Sequence, residues 1–116
     1  MLVKSVRHRL CFGTSRSIVS GVPEASSELD GLLRALAHPA RRMIVSACWS
    51  GERTAGELAE LVHLAPASTS EHLKVLRKHR LVEMRVEGTF RIYWARPEAM
   101  ARLRRLLEIT FPMEDQ

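Results

Sequence analysis

Between Thr54 and Trp94 the apolar residues change period once, from helical spacing to strict alternation, and no other feature restricts the fold as much. Thr54-Ala55-Gly56-Glu57 has the composition of a capping box, in which the threonine hydroxyl and the glutamate carboxylate each bond the other residue's amide. A helix is therefore expected to start there, with Ala55, Leu58, Ala59 and Val62 as its apolar stripe. After a turn through His63-Leu64-Ala65, Pro66 suits the first position of a second helix, where its missing amide leaves no bond unmade. Ser68 to Glu71 offers a rival box, so that start is open by about two residues.

In the second helix Thr69, Leu73 and Leu76 form the inward stripe, turning Ala67, Ser68, Ser70, Glu71, Lys74 and Lys78 toward other sides. Beyond Leu81 the period becomes two: Val82, Met84 and Val86 alternate with Glu83 and Arg85, then Phe90, Ile92 and Trp94 with Arg91 and Tyr93. Glu87-Gly88 supplies the glycine of a tight hairpin turn, so two antiparallel strands are expected. The resulting order is a helix-turn-helix followed by a β-wing, which places one helix in the major groove of DNA. The fold class is mainly α with a small β-hairpin.

DNA contact is best supported at the start of the second helix. Ser68, Ser70 and the first-turn amides can donate to phosphate or base edges, and the positive end of the helix dipole favours phosphate. His72 is placed to reach a base edge or phosphate, with Glu71 beside it, while Lys74, Arg77 and Lys78 add charge along later turns. Arg85, Thr89 and Arg91 are assigned to the wing, over backbone or minor groove. The competing explanations are a solvated charged face and a hairpin whose arginines only keep its edge soluble.

The run from Ala35 to Ala95 resembles the ArsR family of small bacterial winged-helix repressors. The resemblance rests on Leu36-Ala37-His38-Pro39-Ala40-Arg41-Arg42, on Thr54 to Ala59, and on Ser70-Glu71-His72-Leu73-Lys74-Val75-Leu76 followed by Leu81-Val82. It implies a homodimer that binds an inverted repeat in a promoter and represses transcription. Two departures stand out: Ala65 and Pro66 replace the family's usual capping serine and following polar residue, and Thr69 replaces a branched apolar residue.

Dimerisation also has an argument of its own. Leu29, Leu32, Leu33 and Leu36 form one apolar stripe, and Met100, Leu103, Leu106 and Leu107 form another after Pro97. A domain of about 90 residues buries a modest fraction of its surface, so burial against a second copy is the expectation. The alternative is that both stripes fold onto the chain's own core.

The expected organisation is a basic tail and linker over residues 1 to 27, the winged domain over 28 to 110, and a short C-terminal tail over 111 to 116. Lys4, Arg7, Arg9 and Arg16 precede the first acid, Glu24, so residues 1 to 20 hold +4 of the net charge of +5 and residues 21 to 116 only +1. The better footprint is local: Lys74, Arg77, Lys78, Arg80, Arg85 and Arg91 against Glu83 and Glu87. The tail superficially fits an organelle transit peptide. Beside a bacterial-looking domain it is instead expected to be a basic arm, a short helix through Val3, Val6 and Leu10, or the product of a start codon assigned too far upstream. No apolar run is long enough to span a bilayer, so a cytoplasmic protein is expected.

Neither the support helix nor the last helix holds a Cys or His, so no metal site of the family's kind is expected, and no cofactor. Cys48 is read as a small buried thiol; a thiol-responsive repressor using Cys11 and Cys48 would require the tail to fold back. His8, His38, His63, His72 and His79 share no ligand spacing, and no catalytic motif is present, so an enzyme is not expected. A winged-helix module for protein contact is the alternative from another class.

Overall fold

A computed structural model describes residues 24 to 114. The elements run α1 (Glu24–Leu36), α2 (Pro39–Ser50), β1 (Arg53–Thr54), α3 (Ala55–Val62), α4 (Pro66–Lys78), β2 (Val82–Glu87), β3 (Phe90–Ala95) and α5 (Pro97–Thr110). The expected basic arm, including Cys11, and the last two residues of the C-terminal tail lie outside the described residues. The first helix starts at Glu24, so Ser26 and Ser27 belong to it and not to a linker.

The helix-turn-helix follows its local chemistry. The Glu57 amide donates to Thr54 Oγ1 at 3.1 Å and the Thr54 amide donates to Glu57 Oε1 at 2.8 Å, completing the capping box of α3. Helix α4 starts at Pro66, with no side chain capping it, and the rival Ser68 box is not used as a start. Both helices end in the same tight reversal. Leu64 N–H donates to Ala59 C=O and Leu81 N–H to Leu76 C=O, with His63 (φ 56°) and Arg80 (φ 59°) in the left-handed region. Glycine is the usual residue there, so the sequence carries no ordinary stop signal at either end.

Thr69 is buried in the inward stripe with Leu73 and Leu76, and its hydroxyl donates to Ala65 C=O at 3.1 Å. That bond removes the cost of burying a polar group where a branched apolar side chain would otherwise sit. The hairpin pairs Val82 with Ala95 through Glu87 with Phe90, so the turn is Gly88-Thr89, one residue later than expected. Gly88 has φ +61°, the sign the first central position of a two-residue hairpin turn requires. A short strand precedes the hairpin: β1 pairs antiparallel with β3, Arg53 opposite Tyr93 and Thr54 opposite Ile92, giving the order β1-β3-β2. Two residues are too few to show a period, which is why the sequence does not announce β1.

Ile44, Leu58, Leu73, Leu76, Leu81 and Val82 are fully buried at the centre of the core. Leu29, Leu32, Leu103 and Leu106 extend this core, which corrects the expectation that they face a second copy. Helices α1 and α5 pack on each other and on the domain, covering Leu29, Leu32, Leu103 and Leu106 within one chain while Leu33 stays exposed. The Arg102 guanidinium clamps the pair by donating to both Glu28 oxygens, at 2.8 and 2.9 Å.

Candidate nucleic-acid interface

Helix α4 presents Ala67, Ser68, Ser70, Glu71, Lys74, Arg77 and Lys78 to solvent, opposite its buried stripe. Its uncapped first turn leaves amides open beside the two serines. Lys74 lies 3.5 Å from Glu71, and both side chains are largely exposed. Such a pair holds two charges loosely enough for a phosphate to compete for the lysine. Arg77 and Lys78 add positive charge in the last turn.

The wing stands beside one flank of α4. Arg91 and Ser70 line a notch of about 90 Å³ together with Gly56, Pro66 and Thr69, where the start of α3, the start of α4 and β3 converge. A guanidinium and a hydroxyl thus border one small hollow beside the starts of α3 and α4. Thr89 and Arg91 are exposed.

Arg85 stands apart from them. It lies two residues below the turn, donates to both Glu52 oxygens at 2.7 and 2.8 Å and to Glu87 at 2.8 Å, and sits 5.5 Å over the Trp94 ring. Glu52 first and Glu87 second hold the guanidinium well above its ordinary pKa. Its charge is compensated within the fold. Glu52 is 33 residues away in sequence, so only the folded chain reveals this partner.

His72 occupies the other flank. Its Nδ1 accepts from Arg41 Nε at 3.3 Å, and its ring lies 4.4 Å from the His38 ring. His38 in turn caps α2, its Nδ1 accepting from the Ala40 amide. Partial burial, then His38 and Arg41, push the His72 imidazole below its ordinary range and favour the neutral ring. The structure thus turns His72 toward α2, away from the face shared by Lys74 and Lys78.

On the terminal helices Leu36, Met100 and Leu107 are half-buried, while Leu33 and Ile109, with Phe111 and Met113 just beyond α5, are exposed, Leu33 by 44% and Phe111 by 65%. Beside them Leu36, Val45, Trp49 and Met100 line a groove of about 560 Å³. Cys48 is buried at the inner face of α2, and burial pushes its thiol up to about 11. At neutral pH it is a protonated core side chain, a poor nucleophile. Among the described residues no group of three or more His, Cys, Asp or Glu side chains is placed to hold a metal, and no helix is long and apolar enough to cross a membrane.

Comparison with known proteins agrees with this geometry. A helix-turn-helix domain model matches residues 36–85. The HTH-type transcriptional regulator Rv2034 of Mycobacterium tuberculosis is 41% identical over 75 residues, spanning 65% of this chain and 70% of that protein. Among solved structures, reduced HlyU from Vibrio cholerae superposes with a TM-score of 0.61 at 28% identity, covering 78% of this chain and 95% of that one. An ArsR family transcriptional regulator gives a TM-score of 0.68 at 25% identity, covering 73% and 88%. With its capped support helix, exposed α4 face and wing, the chain belongs to the ArsR family of winged helix-turn-helix transcriptional regulators, which act by binding DNA.

Proposed function

We propose that the chain is a cytoplasmic repressor that binds an inverted-repeat operator as a homodimer. The observation that carries this reading is the continuity of the exposed α4 face with the Ser70–Arg91 notch of the wing. In this arrangement Ser68 and Ser70 meet base edges or phosphates from the start of α4. Lys74, Arg77 and Lys78 meet phosphate along its length, with Glu71 tempering the charge. Thr89 and Arg91 follow the backbone on the wing side, and Arg85 braces the wing from behind through Glu52. His72 fixes the orientation of α4 against α2.

The dimer surface is the outer part of the leucine stripes. Leu29, Leu32, Leu103 and Leu106 hold α1 and α5 in place, while Leu33, Ile109, Phe111 and the rims at Leu36, Met100 and Leu107 are available to a second copy. A two-fold axis through these helices sets two α4 helices about one DNA turn, roughly 34 Å, apart. Footprinting on DNA upstream of the gene, with sedimentation equilibrium on the same protein, tests both parts. Two protected patches one turn apart and a dimeric mass are expected. A monomer protecting one patch overturns the dimer, and no protection of any duplex favours a protein-interaction module.

A further inference from the structure

A further concave feature adjoins the C-terminal end of α4. Between α1, the end of α4 and the start of α5 there is a cleft of about 400 Å³. Its apolar floor includes Leu32 and Ala99, and Lys78, Arg80, Arg96 and Arg102 border it. The acids of the cleft are already committed. Glu28 accepts both bonds from Arg102, and Glu98 accepts from Arg96 at 3.2 Å while Arg96 also reaches Glu83 at 2.7 Å. Lys78 and Arg80 have no ion-pair partner among the described residues, so the cleft keeps an uncompensated positive charge beside an apolar floor.

The cleft is also joined to the recognition helix. His79 ends α4 and lies directly against Gly31 of α1, where an added Cβ would come within 2.6 Å of its ring. Any larger residue at this position would make the His79 ring shift, so the glycine lets the end of α4 seat closely on α1. Lys78 belongs to both surfaces, the exposed side of α4 and the rim of the cleft.

We propose that this cleft binds a small organic anion, a carboxylate on an apolar body, through Lys78 and Arg80, and that its occupancy weakens DNA binding. The carboxylate takes the two unpartnered cations and the apolar body covers Leu32 and Ala99. An occupied site withdraws Lys78 from phosphate and presses on His79, shifting how α4 is seated. The binding site stands on the cleft alone; its effect on DNA rests on the repressor reading above.

Benzoate, with benzyl alcohol as the uncharged counterpart, is the probe, titrated into the full chain and followed by NMR at the Gly31 amide and the His79 ring. The comparison variant is Arg80→Gly, which removes a cation and suits φ +59°. Saturable shifts with benzoate are expected, with binding weaker by about tenfold for Arg80→Gly and for benzyl alcohol. No saturable shift, or equal binding by the variant or by the alcohol, overturns the site. Affinity for duplex from upstream of the gene is then measured with benzoate against equal chloride. A fall in the unchanged protein but not in Arg80→Gly supports the coupling. Cleft binding with unaltered DNA affinity overturns the coupling alone, and absence of duplex binding without benzoate strikes the repressor reading instead.

Discussion

The helix-turn-helix and the terminal helices are built from equally clear apolar stripes, yet only one of them follows the sequence expectation. In α3 and α4 the stripe of Leu58, Leu73 and Leu76 is buried where helical spacing puts it, leaving a polar outer face. In α1 and α5 Leu29, Leu32, Leu103 and Leu106 are also buried, but within their own chain and not against a second copy. Periodicity tells which face of a helix leaves water. It does not tell what covers that face, because apolar surface has no preferred partner.

The largest effect separating the two halves should come from Leu106→Ala. Leu106 is buried between α5 and the core, so truncation is expected to cost about 2–5 kcal/mol in denaturant unfolding. Leu33→Ala, on an exposed face, should leave unfolding at low concentration nearly unchanged while weakening self-association. Equal, concentration-dependent losses from both would return the terminal helices to an intermolecular role.

In the other half, Thr54→Ala removes the first bond of the capping box and should cost about 1 kcal/mol. A loss under a few tenths in the same unfolding assay would mean that tertiary contacts alone hold α3.

The wing offers a sharper contrast between two arginines close in sequence. Arg91→Ala should lower the slope of log affinity against log salt by about one, the loss of one phosphate contact. Arg85→Ala should leave that slope unchanged and act through wing stability, because Glu52 and Glu87 already hold its charge. A reversed order of slopes would move the DNA contact to Arg85.

The smallest effect lies where the two halves meet. Burial first, then neighbouring cations, hold His72 and His79 below the ordinary imidazole value of 6.5 in the folded chain. His38 and Arg41 face His72; Lys78, Arg34 and Arg41 face His79. Below pH 6.5 the unfolded chain therefore binds more protons than the folded one. Stability is full above that pH and declines as pH falls toward the folded values. Replacing both histidines with Gln should flatten this decline in urea titrations, and an unchanged decline would assign it to other groups.

How far the sequence spoke depended on range. The capping box, Pro66 at the start of α4 and the alternation of the hairpin are local, and each is legible within a few residues. The partners Arg85–Glu52, Arg102–Glu28 and Arg41–His72 join positions that no period links, so the ion pairing of Arg85 and the orientation of His72 are not legible in the sequence. Strand β1 was hidden by its two-residue length, and the ends of α3 and α4 by His63 and Arg80 standing where glycine is usual. The Ser70–Arg91 notch joins two residues that the sequence had placed on separate elements.

The central claim is that the α4 face and the wing together read DNA. Its most direct test is binding of the full chain to duplex from upstream of its gene, against a scrambled duplex, across a salt titration. Preference for the natural duplex that persists at about 0.15 M salt, and that Lys74→Ala weakens on both duplexes alike, is the predicted result. Equal and steeply salt-sensitive binding to both duplexes, unchanged by Lys74→Ala, would contradict the account.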